Sequence, residues 1–148
     1  GDILVQTTDM DETQRRIFLE QFQSRTGQTL LGFAVMGGIF GEGIDLVGDR
    51  LNGAVVVGVG LPGICLEREL IRAYYDDLNG NGFAFAYQFP GINRVLQAGG
   101  RVIRSDSDTG VVLLIDRRYG QSRYRSLLPQ HWRPTWIYDA QGFTDLLR

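Results

Sequence analysis

Lysine is absent from this chain, and all fifteen basic residues are arginine. The chain therefore cannot supply the lysine of a phosphate-binding loop, a Schiff-base lysine or a lysine general base. The single cysteine, Cys65, excludes an internal disulfide and a four-thiolate metal site built by this chain alone. It lies in an apolar stretch, which favours a buried thiol. The sequence predicts no metal site of its own.

Long hydrophobic runs are missing as well. No apolar segment approaches the roughly 20 residues that span a bilayer, and the chain starts without a signal-peptide pattern. These absences favour a cytoplasmic protein with no membrane partner. With 43% hydrophobic and 22% charged residues among 148, the composition is that of one globular domain with a substantial core.

Short apolar segments alternate with helical patterns along the chain. Strands are predicted at 3–5, 30–36, 53–59 and 110–116, and helices at 12–25, 65–78, 90–103, 121–128 and 139–147. The strand segments are apolar without alternation, as in parallel strands covered on both faces. The helix at 65–78 is amphipathic, with apolar residues at helical spacing: Leu66, Leu70, Ile71, Tyr74 and Leu78. The order predicts an α/β domain with a mainly parallel central sheet flanked by helices.

Positive charge is concentrated in one segment of an acidic chain. Between Arg94 and Arg125 there are seven arginines and three aspartates, a local charge of +4, although the whole chain carries −2. Such segregation favours a local anion site over a general nucleic-acid coat. A solvated arginine-rich face is the alternative.

The third predicted helix places this charge on one side. At about 100° per residue, four polar side chains fall within an arc of roughly 80°: Arg94, Gln97, Arg101 and Arg104. The other side is apolar and includes a glycine that we expect to allow close approach to the sheet: Ile92, Val95, Leu96, Gly99, Val102 and Ile103. Because guanidinium groups form planar forks suited to phosphate oxygens, this face predicts an anion site.

Two glycine-rich segments raise further possibilities. "GVGLPG" (58–63) matches the dinucleotide-binding spacing G-x-G-x-x-G, but the acids at the required distance, Asp76 and Asp77, fall at the end of a helix. "GGIFGEGIDLVGDRL" (37–51) follows a strand, where α/β proteins place ligand loops. Its Glu42 and Asp45 indicate either a ligand-contacting loop or a solvated connection with acids at a helix start.

Three segments in order resemble motifs V and VI of superfamily 2 helicases, in the DinG and XPD-like group of iron–sulfur DNA helicases. They are "GGIFGEGIDL" (37–46), "VVVGVGLP" (55–62) and "QAGGRVIRSDSDTGVVLLIDRRY" (97–119). The closing "YRSLLPQHW" (124–132) is similar to that group's "Y…LP…W" ending. The resemblance runs from about Leu31 to Trp132.

The resemblance implies a three-layer RecA-like domain over residues 1–148, the second motor domain of a larger ATP-dependent DNA helicase active in DNA repair or replication. Its partners would be single-stranded DNA and an N-terminal RecA-like domain that this chain lacks. That domain would bind most of the ATP and Mg²⁺, and any iron–sulfur cluster would belong to it. The isolated chain would then hydrolyse negligible ATP.

Site residues follow from the same resemblance. Gln97, Arg101 and Arg104 would be catalytic, with Arg104 the arginine finger at the γ-phosphate. The implied ATP-binding set is Gly38, Glu42, Gly43, Asp45, Gln97, Arg101 and Arg104, and the implied DNA contacts are Gly41, Glu42 and Gly43. Asp108 and Gly110 match a turn of the group and are interpreted as structural.

Two other functions remain open. A degenerate RecA-like module could act only in binding or as a scaffold, but it would usually lose the motif VI arginines, which are kept here. A dinucleotide enzyme using "GVGLPG" is the third possibility. Tight NAD binding that is insensitive to Arg104→Ala would favour it.

Overall fold

A computed structural model describes residues 1–22, 27–36, 51–103 and 109–146. The strands are β1 (Asp2–Val5), β2 (Leu30–Phe33), β3 (Gly53–Val57) and β4 (Val111–Ile115), and the helices are α1 (Glu12–Glu20), α2 (Leu66–Asn79), α3 (Phe89–Val102), α4 (Ser122–Arg125) and α5 (Ala140–Leu146). A π-helical turn, Ala84–Gln88, leads directly into α3. Single 3-10 turns lie at Arg117–Gly120 and Gln130–Trp132. Each predicted strand and helix is present, with shorter bounds in most cases.

Both strand pairings are parallel, as predicted. β1 pairs with β2 from Asp2–Leu30 to Val5–Phe33. β3 pairs with β4 from Gly53–Val111 to Val57–Ile115. Neighbouring parallel strands require a crossover connection. α1 lies in the crossover between β1 and β2, and α2 and α3 lie in the crossover between β3 and β4.

The helix ends follow from local sequence. Asp11 caps α1: its carboxylate accepts from the Gln14 backbone N–H (2.8 Å), and the Gln14 side chain accepts from the Asp11 N–H (2.9 Å). This reciprocal pair satisfies donors that a helix start leaves open.

α2 ends at Gly80, which adopts the left-handed conformation with φ of 71°. Gly80 lies in the segment "NGNG" (79–82), where asparagine and glycine favour a turn.

The core lies between α3, the β3–β4 pair and the segment after β4. Its buried members are Val56, Val59, Ile92, Val95, Tyr119, Tyr124 and Leu128. α3 covers only one face of the pair, because Val55 and Val57 on the opposite face remain 61% and 74% exposed. The packing of α3 on β3 fixes the orientation of the helix that carries the candidate site.

Four expectations about burial are wrong. The β3–β4 pair is not covered on both faces, because Val55 and Val57 are exposed. Cys65 is exposed, because it is the residue before the first turn of a surface helix. Ile103 is 47% exposed, since the backbone leaves the helix at this residue and becomes extended. The apolar side of α2 is also exposed, although an amphipathic helix normally buries that side. In the ranges described, no helix is both long and apolar enough to cross a membrane.

Candidate functional site

α3 presents two different sides, as its spacing predicts. The side toward the core buries Gly91, Ile92, Val95, Gly99 and Val102. On the outward side Gln97 is exposed and Arg101 is half-buried. These two residues are four apart, so their side chains are neighbours on the helix surface. Arg101 lies in the last turn, where the carbonyl end of the helix dipole favours a cation.

Arg94 belongs to the same outward row but is committed to the backbone. It is half-buried, and its Nη1 donates to the Gly60 carbonyl at 3.4 Å. The arginine therefore ties α3 to the segment after β3. The predicted row of polar side chains therefore has two parts. Arg94 bonds to the backbone, and Gln97 and Arg101 are neighbours on the outward side.

Within "GVGLPG" the middle glycine, Gly60, is required for packing. Gly60 has φ of 67°, and a Cβ there would lie 2.5 Å from the Gly91 carbonyl oxygen. A Cβ on Gly91 would in turn lie 2.6 Å from the Val59 carbonyl oxygen. The start of α3 thus rests directly on the chain leaving β3. The next helix begins only at Leu66, whereas a dinucleotide fingerprint opens its helix at the glycine turn, so this geometry does not favour the dinucleotide function.

A proline within continuous helical backbone shapes the entry to α3. Helical backbone begins at residue 82, so Pro90 lies inside it and has no N–H to offer the Ala86 carbonyl four residues earlier. The Arg68 guanidinium of α2 donates to that carbonyl instead, at 3.1 Å. The π turn at 84–88 is the local adjustment that accommodates the proline ring.

Residues that follow β4 pack against the core side of α3. Tyr124 and Leu128 are buried in the core, and the Trp132 ring packs against Gly99. The missing side chain at Gly99 therefore leaves room for the Trp132 indole, whereas the sequence predicts that it allows close approach to the sheet. Buried Gln88 adds a link by donating from Nε2 to the Arg123 carbonyl at 2.8 Å. The "Y…LP…W" ending consists of residues that hold α3 in place.

Several other arginines of the basic segment have structural partners. Arg118 forms a two-point pair with Asp116, with Nε–Oδ1 at 2.9 Å and Nη2–Oδ2 at 2.8 Å. Hydrogen bonding from Arg118 lowers the pKa of the Asp116 carboxyl. Arg125 lies over the Trp136 ring, 3.9 Å from its centroid. Asp116 and Arg118 line an open depression of about 490 Å³ together with Arg117, Gln121 and Arg123. The +4 segment is therefore not one continuous anion site.

Part of the predicted site lies outside the described residues. Arg104 falls there, as does Asp108, and so do the predicted loop contacts Gly38, Gly41, Glu42, Gly43 and Asp45. In the described ranges, no three histidine, cysteine or carboxylate side chains are grouped to hold a metal ion. Gly110 is described, and its close contact with Val102 supports the structural role expected of it.

Sequence reasoning missed three contacts that support α3, although it placed Trp132 in the closing motif. Arg68 on α2, Gln88 in the π turn and Trp132 after β4 all act on α3 from outside it. The sequence contained a signal for Arg68, namely Pro90, because a proline within a helix leaves a carbonyl that needs another donor. The other two contacts join residues far apart in the chain and have no local signature.

Comparison with known proteins identifies the family. Residues 2–135 match the helicase C-terminal domain. The chain therefore belongs to that family, and the relatives that it resembles include XPD and DinG helicases.

Individual relatives fall in the same group. The chain is 30% identical to the transcription and DNA repair factor IIH helicase subunit XPD of Schizosaccharomyces pombe, over 97% of this chain and 18% of the relative. It is 31% identical to the ATP-dependent DNA helicase DinG of Photobacterium profundum, over 79% of this chain and 17% of the relative. The chain thus spans less than a fifth of either protein.

A solved structure agrees on the fold. Apo XPD superposes with a TM-score of 0.63 at 21% identity, over 84% of this chain and 26% of that one. Together with the parallel pairings, this similarity establishes the α/β RecA-like fold predicted from the sequence.

Proposed function

We propose that this domain is the second motor domain of an ATP-dependent DNA helicase, and that α3 directs Gln97 and Arg101 toward the phosphates of ATP. Arg104, just beyond the helix, is the proposed arginine finger. The carrying observation is the two-sided α3, which is fixed to the core on one side and presents an amide and a guanidinium on the other.

The chemistry suits phosphoryl transfer. During transfer, negative charge is spread over the equatorial oxygens of the γ-phosphoryl group, and fixed guanidinium groups stabilise it. Catalysis of this kind depends on donors that are already in position. The Gly60–Gly91 contact, the Arg94 hydrogen bond and the Trp132 contact fix α3 on the domain, which supports the proposal.

The remaining parts of the site are shared with the rest of the proposed helicase. Its N-terminal motor domain would bind most of the ATP and Mg²⁺ and carry any iron–sulfur cluster. In this chain, the segment with Gly38 and Asp45 would approach the nucleotide. The neighbouring residues Gly41, Glu42 and Gly43 would approach both the nucleotide and single-stranded DNA.

The decisive test uses the full-length protein with Arg104→Ala and Arg101→Ala. Arginine fingers contribute on the order of 10³–10⁵ in rate, so we expect Arg104→Ala to nearly abolish ATP hydrolysis. ATP affinity should change only a few-fold, because the other domain supplies most of the binding. Arg16→Ala is the matched control, since Arg16 is a helical arginine whose side chain is 71% exposed. Unchanged turnover in both site variants would contradict the assignment.

A further test uses this chain alone. The proposal requires the second domain for chemistry, so we expect negligible ATP hydrolysis from the purified domain. DNA-stimulated turnover by the domain alone would refute the division of the site. The alternative function, a scaffold module, requires instead that the full-length wild type also lacks hydrolysis.

A further inference from the structure

α2 is attached to the domain by its polar side. Arg68 donates to the Ala86 carbonyl at 3.1 Å, and the Asp76 carboxylate accepts from the Gly82 N–H at 2.8 Å. The Tyr87 hydroxyl donates to Glu69 at 2.5 Å. Tyr75, also on this side, stacks on Phe85 with ring centroids 3.9 Å apart.

The apolar side of α2 faces away from these contacts. Five large side chains on it are exposed: Leu66 (73%), Leu70 (62%), Ile71 (39%), Tyr74 (63%) and Leu78 (61%). At about 100° per residue they occupy an arc of roughly 140°. None of the fourteen α2 residues, all within the described part of the chain, is buried. We call these five side chains the α2 surface.

Such an arrangement is the reverse of an ordinary surface helix, which buries its apolar stripe and exposes its polar side. Contiguous exposed apolar side chains on this scale mark an interaction site. The polar contacts fix the helix without using its apolar side. That side is therefore available for a second surface to cover.

The charges within the arc define the chemistry of that second surface. By helical position, Glu67 and Asp77 fall among the apolar residues, whereas Arg68 and Arg72 fall on the attached side. Carboxylates therefore lie among the side chains of the α2 surface, and no cationic residue of α2 falls within the arc. A nucleic acid or a second copy of the same surface would bring negative charge against negative charge. A complementary partner has lysine or arginine beside an apolar row.

We propose that the α2 surface is the docking site for an amphipathic basic helix from another domain of the same polypeptide. The domain spans 18% of its XPD relative and 26% of the apo XPD chain, so a helicase of that length has ample chain to supply the helix. A tethered segment binds at high effective concentration, which suits a surface exposed in the separate domain. The proposal rests on this chain being one domain of a longer helicase.

Hydroxyl-radical footprinting of the full-length protein, resolved by mass spectrometry, tests the proposal. Tyr74 and Tyr138 are 63% and 81% exposed in this domain and provide a matched pair. We expect Tyr74 to be oxidised several-fold more slowly than Tyr138 in the full-length protein. Reversing charge with Glu67→Lys and Asp77→Lys should remove most of that protection, whereas Asp145→Lys on α5 should leave it intact.

Other outcomes overturn the proposal. Equal oxidation of the two tyrosines would mean that the α2 surface is free. Protection that depends on protein concentration would indicate a second copy, and protection that appears only with DNA would indicate nucleic acid. Protection unaffected by the charge reversals would reject a basic partner. The footprint requires no ATP hydrolysis, so its failure is distinguishable from failure of the motor assignment.

Discussion

The indole of Trp132 packs directly on Gly99, where a Cβ would lie 2.5 Å from Trp132 Cη2. Gly99 lies between Gln97 and Arg101 in sequence but on the opposite side of α3. Trp132 therefore restrains the position and rotation of α3 in the turn that carries Gln97 and Arg101.

Gly99→Ala should destabilise the domain, because the new methyl group overlaps the Trp132 ring. Overpacking a filled site costs about 1 to 3 kcal/mol. Gly100→Ala is the matched control, since nothing lies within 4 Å of a Cβ at Gly100. That change should stabilise the helix by about 0.5 to 1 kcal/mol. Urea unfolding measures both, and equal effects would contradict the Trp132 contact.

Arg68 and Pro90 should be energetically coupled. Arg68→Ala removes the guanidinium that donates to the Ala86 carbonyl, at a cost of about 1 to 2 kcal/mol. Pro90→Ala introduces an N–H that can donate to the same carbonyl, so the cost of Arg68→Ala should shrink in that background. A double-mutant cycle measures the coupling. Arg72→Ala is the control and should be additive with Pro90→Ala; an additive result for Arg68 would refute the substitution of donors.

Acid stability should depend on Asp116. Because Arg118 lowers its pKa in the folded state, the carboxylate contributes stability above the ordinary aspartate pKa, and this contribution is lost as pH falls through the folded value. Unfolding free energy should fall more steeply for the wild type than for Asp116→Asn below about pH 4. Parallel pH profiles would show that the pair contributes nothing.

Alkaline stability should depend on Tyr119. Burial raises its pKa to about 12, and its hydroxyl donates to the Gly58 carbonyl at 2.9 Å. A raised folded pKa means that the stabilisation is complete below the ordinary tyrosine value and is lost as pH rises from about 10 toward 12.

Tyr119→Phe should weaken that pH dependence and cost about 1 kcal/mol at neutral pH, since the Gly58 carbonyl loses its donor. Tyr138→Phe is the comparison, because Tyr138 is 81% exposed. Identical alkaline profiles for wild type and Tyr119→Phe would contradict the role of burial.

Sequence periodicity predicted α3 well because its buried row is set by local spacing. Ile92, Val95 and Val102 are buried as expected, and Gln97 lies on the other side. The order of parallel strands followed from their unbroken apolar runs. The outward placement of Gln97 and Arg101 on α3 was therefore predictable from the sequence, and their role at ATP stays a prediction.

Periodicity failed where tertiary contacts decide the outcome. α2 has an equally regular apolar side, but specific polar contacts such as Arg68 with Ala86 turn that side outward. Spacing shows that a helix has two sides and does not show which one the domain uses. Periodicity also could not explain Gly99. The position excludes a side chain because of Trp132, which is distant in sequence.

The pairing of β3 with β4 has a kinetic consequence. Gly53 aligns with Val111, and the chain between them includes both α2 and α3. Closing such a long separation costs entropy before any strand contact compensates it. The local contacts between α2 and the π turn form without that closure. Refolding should therefore proceed outward from α2 and the π turn, with β4 joining late and setting the rate at which the outward side of α3 becomes rigid.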